Sequence, residues 1–153
     1  MRHIIFIFAA IACLTSCELH TSNNGDLDNW WYLRQVDSLD VDKQVDYKDK
    51  RVFWGFIDHL MQTERIGGTM YIYRYDKTDA TLRVYQPHIN KNTLGDTLLW
   101  EKDLVNLKPH GLNMKPTSDG KTFEETFIIE QLNSEKMVLL NESHTLRLHF
   151  QAW

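Results

Sequence analysis

The segment that decides the fold is Thr145-Leu146-Arg147-Leu148-His149-Phe150-Gln151-Ala152-Trp153. Apolar side chains occupy every second position of this segment, and arginine, histidine and glutamine stand between them. A period of two residues is typical of a β-strand that has one face in a core and the other in water. We therefore predict a strand whose inward side chains are Leu146, Leu148, Phe150 and Ala152.

Similar alternation, rich in aromatic and β-branched residues, recurs along most of the chain before this segment. It predicts further strands over residues 29–36, 51–57, 69–75, 81–86, 122–132 and 137–140. The second of these has an alternative, because the apolar positions between Phe53 and Met61 would also suit an amphipathic helix. Short polar turns join neighbouring strands into antiparallel hairpins.

The predicted strand over residues 69–75 is partly apolar on both faces. Met70 and Ile72 share one face, which we expect to point inward, and Tyr71, Tyr73 and Tyr75 share the other. We expect these tyrosines to be exposed. Their rings would then offer contact area to a protein or a glycan.

Two polar stretches interrupt the strands. Residues 37–50 alternate acids with lysines and predict a solvated connection, whereas residues 87–121 contain all three prolines and predict a strand or one short helix. Seven or eight short antiparallel strands indicate an all-β domain. We favour a lipocalin-like up-and-down barrel of about eight strands, and the alternative is a two-sheet β-sandwich.

The N-terminus has the organisation of a secretory signal peptide. Arg2 precedes an apolar run from Ile4 to Ala12, which is shorter than the roughly 20 residues that a transmembrane helix needs. The motif that follows, Leu14-Thr15-Ser16-Cys17, resembles the bacterial lipobox. We therefore predict a lipoprotein signal peptide over residues 1–16 and acyl chains, including palmitate, on Cys17; an ordinary secretory signal with an incidental cysteine is the alternative.

Acyl chains on Cys17 would anchor the protein to a membrane of the bacterial cell envelope, which we expect to be the outer membrane. Residues 17–28 are polar and predict a flexible tether, and residues 29–153 suffice for one barrel domain.

Cleavage of the signal peptide removes Arg2 and no acidic residue, so 16 basic and 21 acidic side chains remain. This negative charge disfavours nucleic acid as a partner. The folded domain then has no thiol, which excludes a disulfide and a cysteine nucleophile.

The run from Phe127 to Leu140, followed by Leu146 to Phe150, has an apolar strand that ends in leucine, then a polar turn, and then Met137 at the start of the next strand. This pattern resembles the lipocalin-like domain lipoproteins common in Bacteroidota, a calycin-like family of small β-barrels of mostly unknown function. Trp31 is similar to the tryptophan that closes the base of such barrels. The resemblance implies a barrel whose cavity could bind a small apolar molecule, and it does not imply an enzyme.

An eight-stranded barrel either holds one small ligand or is filled by its own side chains. Six bulky residues are candidates to line a ligand cavity, and they would fill the core in the alternative: Trp31, Trp54, Phe56, Met70, Ile72 and Trp100. The first hypothesis is therefore a protein that binds a small hydrophobic ligand. The second is a protein- or glycan-interaction module, such as an accessory subunit or an inhibitor, with a solid core and a partner that the sequence does not identify.

Neither hypothesis involves a reaction or a cofactor. Glu124 and Glu125 would point to opposite faces of one strand, which does not suit paired-carboxylate chemistry. The histidines are dispersed, and the acidic cluster from Asp37 to Asp46 lacks the glycine and the closing glutamate of an EF-hand loop. We therefore expect no enzyme, no cofactor and no metal site.

Overall fold

A computed structural model describes residues 24–91 and 95–153. The predictions made for residues 1–23, including the signal peptide and the lipid on Cys17, lie outside these described residues. Within them, eleven strands form one antiparallel sheet. The strands are β1 (Trp30–Ser38), β2 (Lys43–Asp46), β3 (Val52–Ile57), β4 (Leu60–Arg65), β5 (Met70–Lys77), β6 (Thr81–Lys91), β7 (Gly95–Leu98), β8 (Lys115–Pro116), β9 (Phe123–Leu132), β10 (Lys136–Asn141) and β11 (Leu146–Ala152).

Eight of these strands close into a barrel. Strands β1, β3, β4, β5, β6, β9, β10 and β11 are neighbours in this order, and β11 returns to pair with β1, where Trp31 lies opposite Ala152. The predicted up-and-down barrel is therefore confirmed, and the chain does not form the alternative sandwich. Strands β2, β7 and β8 pair near one end, which we call the mouth; the opposite end, where β1 begins, is the base.

The side chains of β5 point in directions opposite to those predicted. Tyr71, Tyr73 and Tyr75 are buried inside the barrel, and the half-buried Met70 and Ile72 lie on its outer face. Alternation alone could not decide between two apolar faces. The tyrosines occupy the interior because the hydroxyls of Tyr73 and Tyr75 find hydrogen-bond partners on β4 and on the β3–β4 turn.

A single turn of 3-10 helix, Gly25–Leu27, closes the base of the barrel. The side chain of Leu27 is fully buried, and its carbonyl oxygen accepts a 3.0 Å hydrogen bond from the indole Nε1 of Trp31. Residues 24–28, the last part of the tether predicted over residues 17–28, therefore belong to the base, and the other residues of that prediction lie outside the described residues. Trp31 contacts the base as the family resemblance implied.

Residues 99–114, which we call the mouth segment, cover the other end. They contain a 3-10 helix, Glu101–His110. The sequence predicted a strand or one short helix between residues 87 and 121, and the described structure has this helix and strand β7 there. The carbonyl oxygen of His110 accepts a 2.8 Å hydrogen bond from the indole Nε1 of Trp54. Gly111 follows with a φ of +86°, and a Cβ there would lie 3.3 Å from Leu148. Glycine suits both the left-handed backbone and this close approach.

Side chains fill the barrel between these two closures. The ring of Trp54 packs against Phe150 with a centroid distance of 4.8 Å and against Phe127 at 5.8 Å. Other large side chains that are fully buried include Trp31, Tyr73, Leu27, Leu33, Met61, Leu82, Leu107, Leu112, Met137, Leu139 and Leu148. This packing agrees with the filled interior that the sequence allowed.

The hydrogen bond between Trp54 and His110 should contribute measurably to stability. Trp54→Phe leaves the buried carbonyl of His110 without its donor, and we expect the free energy of unfolding to fall by about 1–3 kcal/mol. Urea denaturation followed by far-ultraviolet circular dichroism measures this change. Trp100→Phe is the matched control, because Trp100 is 71% exposed and should cost less than about 0.5 kcal/mol. Equal losses in the two variants would contradict the role given to the bond.

Candidate binding cleft at the barrel mouth

The structure does not bring the six predicted lining residues together around one cavity. The candidates were Trp31, Trp54, Phe56, Met70, Ile72 and Trp100. The first three are buried in the barrel interior, where they pack against other side chains. Met70 and Ile72 lie on the outer face because the tyrosines of β5 occupy the inner one, and Trp100 is exposed beside the mouth.

A cleft of about 310 Å³ opens at the mouth, between the β1–β2 hairpin and the mouth segment. Its size is at the lower limit of ordinary small-molecule sites. The apolar part of its wall is provided by Val36, Val45, Tyr47, Leu112 and Leu146, and Ser38, Lys50, Lys108, Gly111 and Asn113 complete it. Four separate parts of the chain therefore build this cleft, which sequence analysis did not find.

The two charged side chains among these lining residues are both lysines. The Nζ atom of Lys50 lies 4.0 Å from the centroid of the Tyr47 ring, an arrangement that favours the cation. Burial raises the pKa of the Tyr47 hydroxyl, so the ring stays neutral. Lys108 extends from the mouth segment on the other side. An apolar wall with two ammonium groups suits a small molecule that has an apolar body and one anionic end.

A second recess of about 220 Å³ lies next to the cleft and contains a buried carboxyl group. Glu125 is 4% exposed, and its Oε2 accepts a 2.5 Å hydrogen bond from the backbone N–H of Asn113. Burial raises the pKa of Glu125 to about 7, against the opposing effect of hydrogen bonds from Asn113 and Asn141. This carboxyl group therefore fastens the mouth segment to β9.

Strand parity could have identified Glu125 from the sequence. It shares its parity with Phe123, Phe127 and Ile129, which are the apolar residues on one face of the strand. Its neighbour Glu124 points to the opposite face, as predicted, and accepts a 2.6 Å hydrogen bond there from Nε of Arg83.

The buried histidine of the mouth segment is neutral. His110 is 4% exposed, and its ring meets that of Tyr71 edge to face with a centroid distance of 5.1 Å. Burial is the main cause that lowers the pKa of His110 to about 4, with a smaller effect of Arg65. Its Nδ1 atom has no hydrogen-bond partner among the described residues.

Other titratable groups lie apart from the cleft. On the outer face of the barrel, Asp37 accepts a 2.8 Å hydrogen bond from Nε2 of His149, so one member of the acidic cluster is paired across two strands. Across residues 24–91 and 95–153, no three His, Asp or Glu side chains converge as a metal site would require. In the same part of the chain, no helix has the length and apolar character needed to cross a bilayer.

The raised pKa of Glu125 predicts a loss of stability with rising pH. Between the ordinary value of 4.5 and about 7, the unfolded chain releases this proton while the folded protein retains it, so the free energy of unfolding falls by up to about 3 kcal/mol. Glu125→Gln removes this contribution. We expect the stability of the variant relative to the original protein to rise between pH 5 and pH 8 in urea denaturation.

Glu130→Gln is the control on the same strand. Its hydrogen bond with Arg147 lowers the pKa of Glu130, so its titration lies below this pH range and the stability difference should remain flat. A flat difference for Glu125→Gln as well would contradict the buried, protonated carboxyl group.

The chain is similar to proteins of one family. The profile of the lipocalin-like domain family matches residues 12–152. Among solved structures, the chain is similar to a lipocalin-like protein from Bacteroides uniformis, with a TM-score of 0.54 and 22% sequence identity, covering 84% of this chain and 100% of that one. An uncharacterized protein from Bacteroides eggerthii has a TM-score of 0.48 and 19% identity, with coverages of 82% and 98%.

No curated protein sequence matches the chain. The Bacteroides uniformis structure supports the fold alone, because its identity to this chain is low. The family match spans most of the sequence, including the eight strands that close the barrel. The protein therefore belongs to the lipocalin-like domain family.

Proposed function

We propose that this protein is a lipid-anchored protein of the bacterial cell envelope that binds a small amphiphilic molecule in the cleft at the barrel mouth. The observation that carries the proposal is the combination, in one cleft of about 310 Å³, of an apolar wall with Lys50 and Lys108. The ligand would place its apolar body against the wall and its anionic end near the ammonium groups. This role is binding and includes no reaction.

The filled interior moves the proposed ligand from the centre of the barrel to its mouth. Trp54 and Leu112 occupy interior volume that a deep ligand would need, and both are almost fully buried. Displacing them would expose apolar surface and break the hydrogen bond to His110. A ligand in the mouth cleft requires neither change.

The anchor is supported by the lipobox-like motif that ends at Cys17. The first described residue, Asn24, lies at the base of the barrel, where its side-chain amide donates a 2.9 Å hydrogen bond to the carbonyl oxygen of Asp58. An anchor on Cys17 would therefore hold the base towards the membrane and leave the mouth cleft facing away from it. The outer membrane, which we expect from the sequence, is the location that we propose for this anchor.

The second candidate function is an interaction module without a ligand. Both ends of the barrel are closed by backbone segments whose carbonyl oxygens accept indole hydrogen bonds. This closure favours the second candidate, because among the described residues it leaves no open path for a ligand into the barrel interior. The described parts of the stretches 37–50 and 87–121, namely residues 37–50, 87–91 and 95–121, contribute to the rim of the mouth and would meet a protein or glycan partner. The two candidates differ in whether the mouth cleft has measurable affinity for a small molecule.

Replacing the anchoring cysteine tests the location. We expect Cys17→Ser to shift the protein from the membrane fraction to the soluble fraction of cells, and to abolish incorporation of labelled palmitate. Cys13→Ser is the matched control, because the same thiol is lost within the predicted signal peptide, and it should leave both properties unchanged. Persistent membrane attachment of the Cys17→Ser protein would contradict the lipid anchor.

A pair of related dyes tests the cleft. Anilinonaphthalene sulfonate carries a sulfonate group on an aromatic body, and N-phenyl-1-naphthylamine has nearly the same body without the charge. We expect saturable binding of the sulfonate dye, weakened about fivefold by Lys50→Ala with Lys108→Ala, because each lysine supplies one charge-assisted contact that solvent partly screens. The uncharged dye should not respond to the lysine variants.

Lys115→Ala is the control for the loss of a nearby positive charge, since Lys115 lines the neighbouring recess and not the cleft. It should leave the affinity for the sulfonate dye unchanged. If the original protein binds neither dye saturably, the ligand hypothesis fails and the interaction module is favoured.

A further inference from the structure

Four large apolar side chains lie exposed on the outer wall near the base of the barrel. Ile57 is 66% exposed, Leu60 47%, Trp30 37% and Trp153 76%. We call these four residues the base patch. Monomeric proteins rarely leave several large apolar groups adjacent to one another in water unless the surface meets a partner.

The register of the strands makes the base patch continuous. Ile57 and Leu60 are cross-strand partners, and Trp30 pairs with Gly55, two residues before Ile57 on the same face. Trp153 is beside Trp30, because its backbone N–H donates a 2.9 Å hydrogen bond to the Trp30 carbonyl oxygen.

The two tryptophans of the patch are held in place by their surroundings. A Cβ at position 55 would lie 3.0 Å from the Trp30 ring, so Gly55 allows this ring to lie against the backbone. Trp153 meets Phe53 edge to face at 5.2 Å. Together Trp30 and Trp153 border a shallow apolar groove of about 320 Å³. The indoles therefore form a fixed surface with exposed edges.

The chain leaves the described structure at the edge of this patch. Asn24 donates its hydrogen bond to the carbonyl of Asp58, and Asp58 stands between Ile57 and Leu60 in the β3–β4 turn. The hydroxyl of Tyr75 donates a 2.7 Å hydrogen bond to the same carbonyl oxygen and secures the turn. Seven residue steps separate Asn24 from Cys17, which a fully extended chain spans in at most about 25 Å. A lipid on Cys17 would thus keep the base patch close to the bilayer.

The charges around the patch indicate which lipids it would meet. Asp26, Asp28 and Asp58 are exposed at this end of the barrel, together with Arg74, the cross-strand partner of Leu60. The excess of carboxylates over this one guanidinium is repelled by anionic headgroups. Tryptophan side chains favour the headgroup region of a bilayer, where the ring is partly in an apolar environment and the indole N–H finds polar partners. This combination suits a surface of zwitterionic lipid.

We propose that the base patch rests on the surface of the bilayer that holds the anchor, with Trp30 and Trp153 at the level of the lipid headgroups. The contact rests on the lipid anchor proposed above and adds an orientation to it. The base end of the barrel then faces the bilayer. The mouth cleft, at the opposite end, opens into the surrounding solution.

Fluorescence quenching by bromine tests this orientation. The full lipidated protein is placed in phosphatidylcholine vesicles whose acyl chains carry bromine close to the headgroup, and the tryptophan emission is compared with that in unbrominated vesicles. We expect quenching that Trp30→Phe with Trp153→Phe largely removes. Trp100→Phe is the matched control and should leave the quenching intact, because Trp100 is exposed at the mouth. Adding phosphatidylglycerol should weaken the quenching.

A second variant separates the patch from the anchor. Ile57→Asp with Leu60→Asp should reduce quenching while the protein still floats with the vesicles in a density gradient. If the original protein floats with the vesicles but is not quenched, or if the quenching depends on Trp100, the proposed contact is wrong. Either result is still compatible with the lipid anchor.

Failure to float would instead overturn the anchor. In that event Cys17, in a protein with Cys13→Ser, is coupled through its thiol to a maleimide lipid in the same vesicles. Quenching of Trp30 and Trp153 would then support the base patch, and its absence would reject it.

Discussion

Trp31 and Trp54 are cross-strand partners inside the barrel, and neither indole N–H can reach water because both rings are fully buried. A buried donor without an acceptor is costly. The two indoles instead bond to carbonyl oxygens of segments outside the barrel wall, Leu27 at the base and His110 at the mouth. The need to satisfy two N–H groups thus closes both ends of the barrel.

Closure of the ends determines where function can lie. With Leu27 and the mouth segment packed onto the two indoles, the interior becomes an ordinary core in which ring packing and apolar burial dominate. What remains available to other molecules is the boundary between the mouth segment and the rim, together with the outer wall. The cleft beside Lys108 and the base patch beside Asn24 lie on these two surfaces, at opposite ends of the molecule.

Much of the barrel could be predicted from the sequence, since strand periodicity and short polar turns are local properties. The last strand is the clearest case, because Leu148 and Phe150 are apolar and their neighbours are polar. In β5 the same method failed, since tyrosine competes with methionine and isoleucine for the inner face and the outcome depends on distant partners for the hydroxyls. The cleft was not predictable at all, because Val45, Lys50 and Lys108 meet only after the hairpin and the mouth segment have folded over the barrel.

Glu125 shows how the mouth segment differs from the base turn. The base is held by the apolar side chain of Leu27 and by neutral hydrogen bonds from Trp31 and Asn24, whereas the mouth is held in addition by a carboxyl group that accepts from Asn113 and has a pKa of about 7. Asn113 also lines the cleft. The backbone N–H that it donates to Glu125 therefore links the protonation of this carboxyl group to the shape of the cleft. Ionisation strengthens this hydrogen bond but adds the cost of a buried charge. The mouth is therefore the end of the barrel whose stability we expect to depend on pH. It is also the end at which we propose the ligand site.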